Sequence, residues 1–148
     1  MAGSSYGRAP RARLDPIFTA HDAMAVFRLA MSRPLRHETL VMFLDANDCG
    51  LSLVTVTGTG TDEAFHIIEI AETMALSGCD APDISGLVLA TVRPGGCLLP
   101  GDDELWLEAA DLVADCGLIL VDWLIIGRYG THSPREQLGM PSRWTSGA

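Results

Sequence analysis

The sequence predicts a single α/β domain, a mixed β-sheet flanked by helices. Three observations carry that expectation. Four short apolar runs, each closed by turn-forming residues, read as strands. The segments between them place apolar residues at i, i+3, i+4 spacing, as helices with one buried face do. A hydrophobic content of 48% over 148 residues supplies one core and is too little for two. The order strand, strand, helix, strand, helix, strand then implies helices packed on the sheet, and no internal repeat is present.

Taken in order, residues 1–16 hold Gly, Ser, Pro and Arg with little to bury and read as a disordered N-terminal tail. Residues 17–144 form the domain, with an N-terminal helix and a C-terminal extension. Thr19 or Asp22 opens the first helix, with Ala23, Val26, Phe27, Ala30 and Met31 on its buried face and Pro34 beyond its end. This amphipathic helix is the feature expected at an interface. Thr39–Asp45 and Leu51–Thr57, separated by Asp45-Ala-Asn-Asp-Cys-Gly50, read as an antiparallel hairpin. A helix follows from Thr61 or Asp62 to about Ser77, with Phe65, Ile68, Ala71 (or Glu72) and Ala75 inward and Gly78 as its stop. Leu87–Val92 is a central strand running into the loop Arg93-Pro-Gly-Gly96. Asp102 opens a helix to Cys116, its acids Asp102, Asp103 and Glu104 facing the positive end of the helix dipole. Leu118–Ile126 is a buried strand interrupted by Asp122, and a polar tail with a few anchors completes the chain.

Composition excludes several function classes. The formal net charge of −9 repels a phosphate backbone, so no nucleic acid is expected on the folded domain; Arg8, Arg11 and Arg13 read as a solvated arm. All ten Lys+Arg residues are arginine, which removes Schiff-base chemistry, a lysine base and a P-loop lysine. No window reaches the roughly 18 apolar residues of a membrane span, and the N-terminus lacks the apolar core of a secretory signal, so a cytoplasmic protein without membrane contact is expected. Cys49, Cys79, Cys97 and Cys116 form no C-x-x-C pair and read as free thiols. His21, His37, His66 and His132 are isolated, so no metal cluster and no cofactor are expected. Trp106 and Trp123 lie in apolar elements and belong to the core, whereas Trp144 is the candidate contact anchor.

The central stretch from Gly86 to Glu104 resembles the RadC-type branch of the JAB/MPN (JAMM) metallo-isopeptidase family. In that family a strand ends in His-x-His-Pro-Ser-Gly and the next helix opens with Pro-Ser-x-x-Asp. The pattern falls without a gap on Thr91-Val-Arg-Pro-Gly-Gly96 and on Pro100-Gly-Asp-Asp-Glu104. Val121-Asp-Trp-Leu-Ile-Ile-Gly127 is similar to the family's Leu-Asp-His-Ile-Ile-Ile-Gly, and Ser133-Pro-Arg-Glu136 to its Ser-Phe-Arg-Glu. Leu44-Asp45, Gly58-Thr59, His66 and Glu69 also fall where RadC-like sequences carry similar residues. The likeness spans roughly residues 36–139 and implies a JAB/MPN-like (cytidine-deaminase-like) three-layer sandwich.

The resemblance keeps the scaffold and loses the chemistry. It places the family's two histidine ligands at Thr91 and Arg93, its serine at Gly101 and its aspartate ligand at Glu104. The family's zinc needs imidazole and carboxylate ligands and an open position for water, and a guanidinium offers no lone pair. Glu38, the carboxylate nearest the first strand, sits one residue off the register of the family's base, which turns it to the opposite face. The implied protein is a catalytically inactive domain acting through an unknown protein partner or as a homo-oligomer. Two alternatives stay open: a small-anion or small-molecule pocket formed by Glu38, Arg93, Gly95, Gly96, Glu104 and Asp122, and a hydrolase with a non-standard site. Two readings of Arg93 stay open: it sits where the metal would be and pairs with Glu104, and with Asp122 or Glu38, or it points to water from an ordinary loop. Gly95-Gly96 reads as a tight turn, and Cys97 as an ordinary thiol.

Overall fold

A computed structural model describes residues 8–57, 67–96 and 98–144. It is a mixed α/β fold whose strands β1 (Glu38–Leu44), β2 (Gly50–Thr57), β3 (Gly86–Val92), β4 (Ile119–Gly127) and β5 (Gly130–His132) form one open sheet in the order β2-β1-β3-β4-β5. β1 runs antiparallel to β2 and β3, β3 is parallel to β4, and β4 is antiparallel to β5. The expected hairpin is therefore present. Among the described residues the helices are α1 (Ala20–Ala30), α2 (Ile67–Cys79), α3 (Asp102–Asp115) and the single turn α4 (Pro134–Gln137). Among the described residues no helix is long and apolar enough to cross a membrane.

The alternation of side chains along each strand sorts the core into two layers. Val41, Phe43, Leu87, Leu89, Leu120, Trp123 and Ile125 face α2 and α3. Leu40, Met42, Val88, Ala90, Val92, Leu124 and Ile126 face α1. Every residue of β1 and β3 is buried, as strands covered on both faces require. In β4 the pairing with β3 shifts between Leu87 and Val88, so Leu120 stands opposite Leu87 and Asp122 opposite Val88. The extra residue turns Asp122 to the α1 side of the sheet while Trp123 keeps its place under α3.

α1 begins where its cap predicts: the Thr19 hydroxyl accepts the Asp22 backbone N–H, and the Asp22 carboxylate accepts that of Phe18. Its buried side is Ala23, Met24, Phe27 and Met31, with Ala30 exposed and Val26 half-buried, so the helix is rotated from the expected face toward Met24. That apolar side is taken up by the sheet within the domain. In α2 the inward residues are Ile67, Ile70, Ala71 and Ala75, with Ile68 half-buried, again a small rotation. Gly78 does not stop this helix but lies inside it, because a Cβ there would come within 3.2 Å of Leu118 and 3.3 Å of Phe43. The expected opening of the helix at Thr61 or Asp62, with Gly58, Thr59, Phe65 and His66, lies outside the described residues, as does Cys97.

Both ends of the chain differ from expectation. Residues 8–16, read as part of a disordered tail, lie along the start of β2: Arg13 N–H bonds the Gly50 carbonyl at 2.9 Å and Pro16 bridges to Cys49. Arg8 and Arg11, read as a solvated arm, both contact Asp15. At the other end, the polar tail contains β5 and α4, and Trp144 is buried in the α1-side core rather than offered as a contact anchor.

Candidate functional site

β3 and β4 are parallel, so their C-terminal ends open together beside the N-terminus of α3, and the positions singled out by the resemblance gather here. Thr91 and Arg93 alternate on the α3 side of β3, with Trp123 on the neighbouring strand. The Arg93 guanidinium forms a two-pronged bond to Asp102, Nη1 to Oδ2 at 2.6 Å and Nη2 to Oδ1 at 2.9 Å. It also lies 5.9 Å from the centre of the Trp123 ring, within the range of cation–π attraction. Asp102 accepts a further bond from the Leu99 backbone N–H at 2.6 Å, which ties the loop to the helix start. The pair is largely withdrawn from water, at 14% and 5% side-chain exposure, and a fork of this kind is the strongest carboxylate–guanidinium geometry.

Thr91 is held just as firmly. Its hydroxyl accepts the Trp123 indole N–H at 2.9 Å and shares a 3.1 Å hydrogen bond with Thr39 across the β1–β3 ladder. The positions laid on the two imidazole ligands thus engage partners within the protein. Gly101, laid on the serine, is the N-cap of α3 at φ 92°, a left-handed conformation in which a side chain is strained. Glu104, laid on the carboxylate ligand, is exposed on the first turn.

These contacts revise the expected ion pair. The carboxylate that meets Arg93 among the described residues is Asp102, two positions before Glu104. Glu38 is buried at the opposite face of β1, beside Leu40 and Met42, where it accepts the Ser32 backbone N–H and hydroxyl, each at 2.8 Å, and Arg36 at 3.4 Å. Asp122 also serves elsewhere, in a cluster with Ser133, Arg135 and Trp144. A shallow cleft of about 230 Å³ lies at the start of α3, lined by Gly101, Asp102, Asp103, Pro134 and Gln137. Gly101 thus borders a cavity, whereas Glu38, Arg93, Gly95, Gly96, Glu104 and Asp122 do not line this one. Among the described residues no group of three or more His, Cys, Asp or Glu side chains is placed to hold a metal ion.

The loop itself is fixed by backbone contact. Arg93 N–H continues the parallel ladder to the Ile126 carbonyl at 2.8 Å. Gly96, at φ 55°, then packs against the end of β4 so closely that a Cβ on it would fall 2.6 Å from the Gly127 Cα. Gly95 faces open space, so the tight-turn reading fits the pair and the steric demand belongs to Gly96.

Sequence reasoning missed the buried cluster around Asp122. This carboxylate, 1% exposed, accepts Ser133 Oγ at 2.7 Å, Trp144 Nε1 at 2.9 Å, Arg135 Nη2 at 3.2 Å and the Trp123 backbone N–H at 2.9 Å. One charge on β4 thereby fastens β5, α4 and the chain end, and Arg135 passes the link on to the Met140 carbonyl at 3.1 Å. The available signal was Ser133-Pro134-Arg135-Glu136, which has the hydroxyl, the proline and the acid of a helix start at the proper spacing. Compared with known proteins, the sequence matches no family model and no curated protein.

Proposed function

We propose that the chain is a catalytically inactive RadC/JAB-like domain that works by binding protein, a second copy of itself or another partner. The Arg93–Asp102 fork carries this reading. On the alignment with the RadC-type motif, a cation fixed to the protein stands at the place of a zinc ligand, and its charge is balanced by a carboxylate of the same helix that bears Glu104. Thr91 offers an uncharged hydroxyl already engaged by Trp123 and Thr39. Support also comes from the sheet order, from helices on both faces, and from the meeting of Asp122, Ser133 and Arg135, which come from the two C-terminal stretches of the resemblance. The pocket alternative is disfavoured by the same fork, since an anion at Arg93 would have to displace Asp102.

The test pairs two measurements on the purified protein. Incubation with zinc and an isopeptide-linked substrate is expected to give no cleavage, and light scattering across concentration, with co-purification from the native host, is expected to reveal a complex. Zinc-dependent cleavage lost in the Glu104→Gln variant would overturn the proposal, as would a protein that is monomeric throughout and co-purifies with nothing.

A further inference from the structure

Between α1 and the β5–α4 segment lies a second cleft, of about 340 Å³, which shares Leu98 and Gln137 with the cleft at the start of α3 but is not lined by Arg93 or Asp102. Its apolar lining includes Met24 of α1 and Leu124 of β4, both in the core layer beneath α1. Around it stand Arg28 and His21 of α1, His132 of β5 and Glu136 of α4. Two of the four histidines of a chain with net charge −9 therefore meet an arginine at one cavity. Among the described residues none of these three side chains has a hydrogen-bond or ion-pair partner, in contrast to Arg8, Arg11, Arg36, Arg93, Arg135 and Arg143.

We infer that this cleft is a binding site for a small anion, a carboxylate or a phosphate. The Arg28 guanidinium supplies permanent charge, and each imidazole supplies at least one N–H donor in either protonation state. Met24 and Leu124 form the floor against which the apolar part of such a ligand can pack, while the charged groups stand at the exposed rim. The volume lies at the small end of the roughly 300–1,000 Å³ usual for ligand pockets, which suits a compact metabolite and excludes a dinucleotide. Glu136 opposes a bare anion, so the preferred ligand also carries a hydroxyl or amine that this carboxylate can accept. Ser133, at the edge of the cleft, is held by its 2.7 Å bond to Asp122, which fixes the chain between His132 and α4. His21, His132 and Glu136 do not form a metal site, since no three-ligand group exists among the described residues.

The inference is independent of the proposed binding function and is tested separately. Titration of the full-length protein with inorganic phosphate and, in parallel, with succinate is followed by NMR of the histidine and arginine side chains. Saturable shifts of His21, His132 and Arg28 are expected, and the stronger of the two probes identifies the anion class. Arg28→Gln should weaken binding about tenfold or more, as loss of a charge-assisted hydrogen bond does, whereas Glu136→Gln should tighten it. Arg28 and Glu136 are both exposed, so both variants are expected to keep the wild-type circular dichroism. No saturable response to either probe, or equal responses in wild type and both variants, would overturn the assignment.

Discussion

Gly96 and Gly127 touch backbone to backbone, the turn after β3 lying directly on the last residue of β4. Neither position has room for a methyl group, and Gly96 is in addition left-handed at φ 55°. Replacing Gly127 by Ala should destabilise the protein by the upper part of the roughly 1–3 kcal/mol typical of overpacking, because the obstacle is main chain and cannot rotate away. Gly95→Ala should cost far less, since nothing lies within 4 Å of its would-be Cβ. Chemical denaturation of the two variants checks the difference.

The Arg93–Asp102 fork predicts strong coupling between its members. Arg93→Met leaves Asp102 charged and withdrawn from water, at a cost of about 3–5 kcal/mol. Asp102→Asn in the same protein should recover much of that loss, because an amide oxygen can still accept the Leu99 N–H while carrying no charge. A double-mutant cycle measures the coupling, and additive effects would show that the two side chains act independently.

Asp122 should control the chain end. Asp122→Ala removes the acceptor shared by Ser133, Arg135 and Trp144 and leaves the Arg135 guanidinium buried without it. A loss of about 3–5 kcal/mol is expected. Release of Trp144 should shift the tryptophan emission to the red, and trypsin should gain access to Arg135 and Arg143. A variant with native emission and native protease resistance would remove Asp122 from this role.

The N-terminal segment carries an acid-sensitive contact. Asp15 accepts the Arg11 side chain and the Arg11 backbone N–H, which hold its carboxyl down at about 2 against an ordinary value of 3.8. Because the folded value is the lower one, the contact contributes fully above about pH 4 and is lost as the pH falls through about 2. A carboxyl NMR titration should give a midpoint near 2 for Asp15, and Asp15→Asn should abolish that part of the acid response. A midpoint at the ordinary value would contradict the contact.

Fold and site were unequally legible in the sequence. The strands were readable because apolar runs such as Leu87–Val92 stop at Pro and Gly, and α1 because Thr19 is a cap before an apolar period. Two helix faces came out slightly rotated for a simple reason: Ile67 and Ile68 are adjacent, as are Ala23 and Met24, and periodicity alone does not choose between neighbours. Gly78 was mistaken for a stop because its role is to admit Leu118 and Phe43, a tertiary demand with no local signature. β5, α4 and the seat of Trp144 were hidden for another reason. They are held by polar bonds to one buried carboxylate, and hydropathy reads such residues as solvated. At the site the sequence left Arg93 between a charge pair and a water-facing side chain, and the partner it named for the pair was Glu104, with Asp122 or Glu38, whereas the structure has Asp102. Three consecutive acids serve the helix dipole equally, and only the path of the loop through Leu99 selects Asp102.

The account stands on Arg93 and Asp102 neutralising each other at the place where the resemblance would put a metal. Titrating the metal-free protein with zinc by calorimetry, beside its Glu104→Gln variant, tests this most directly. The account predicts no stoichiometric zinc binding that depends on Glu104, so the two proteins give the same trace. Tight one-to-one binding in the wild type that disappears in Glu104→Gln would contradict it.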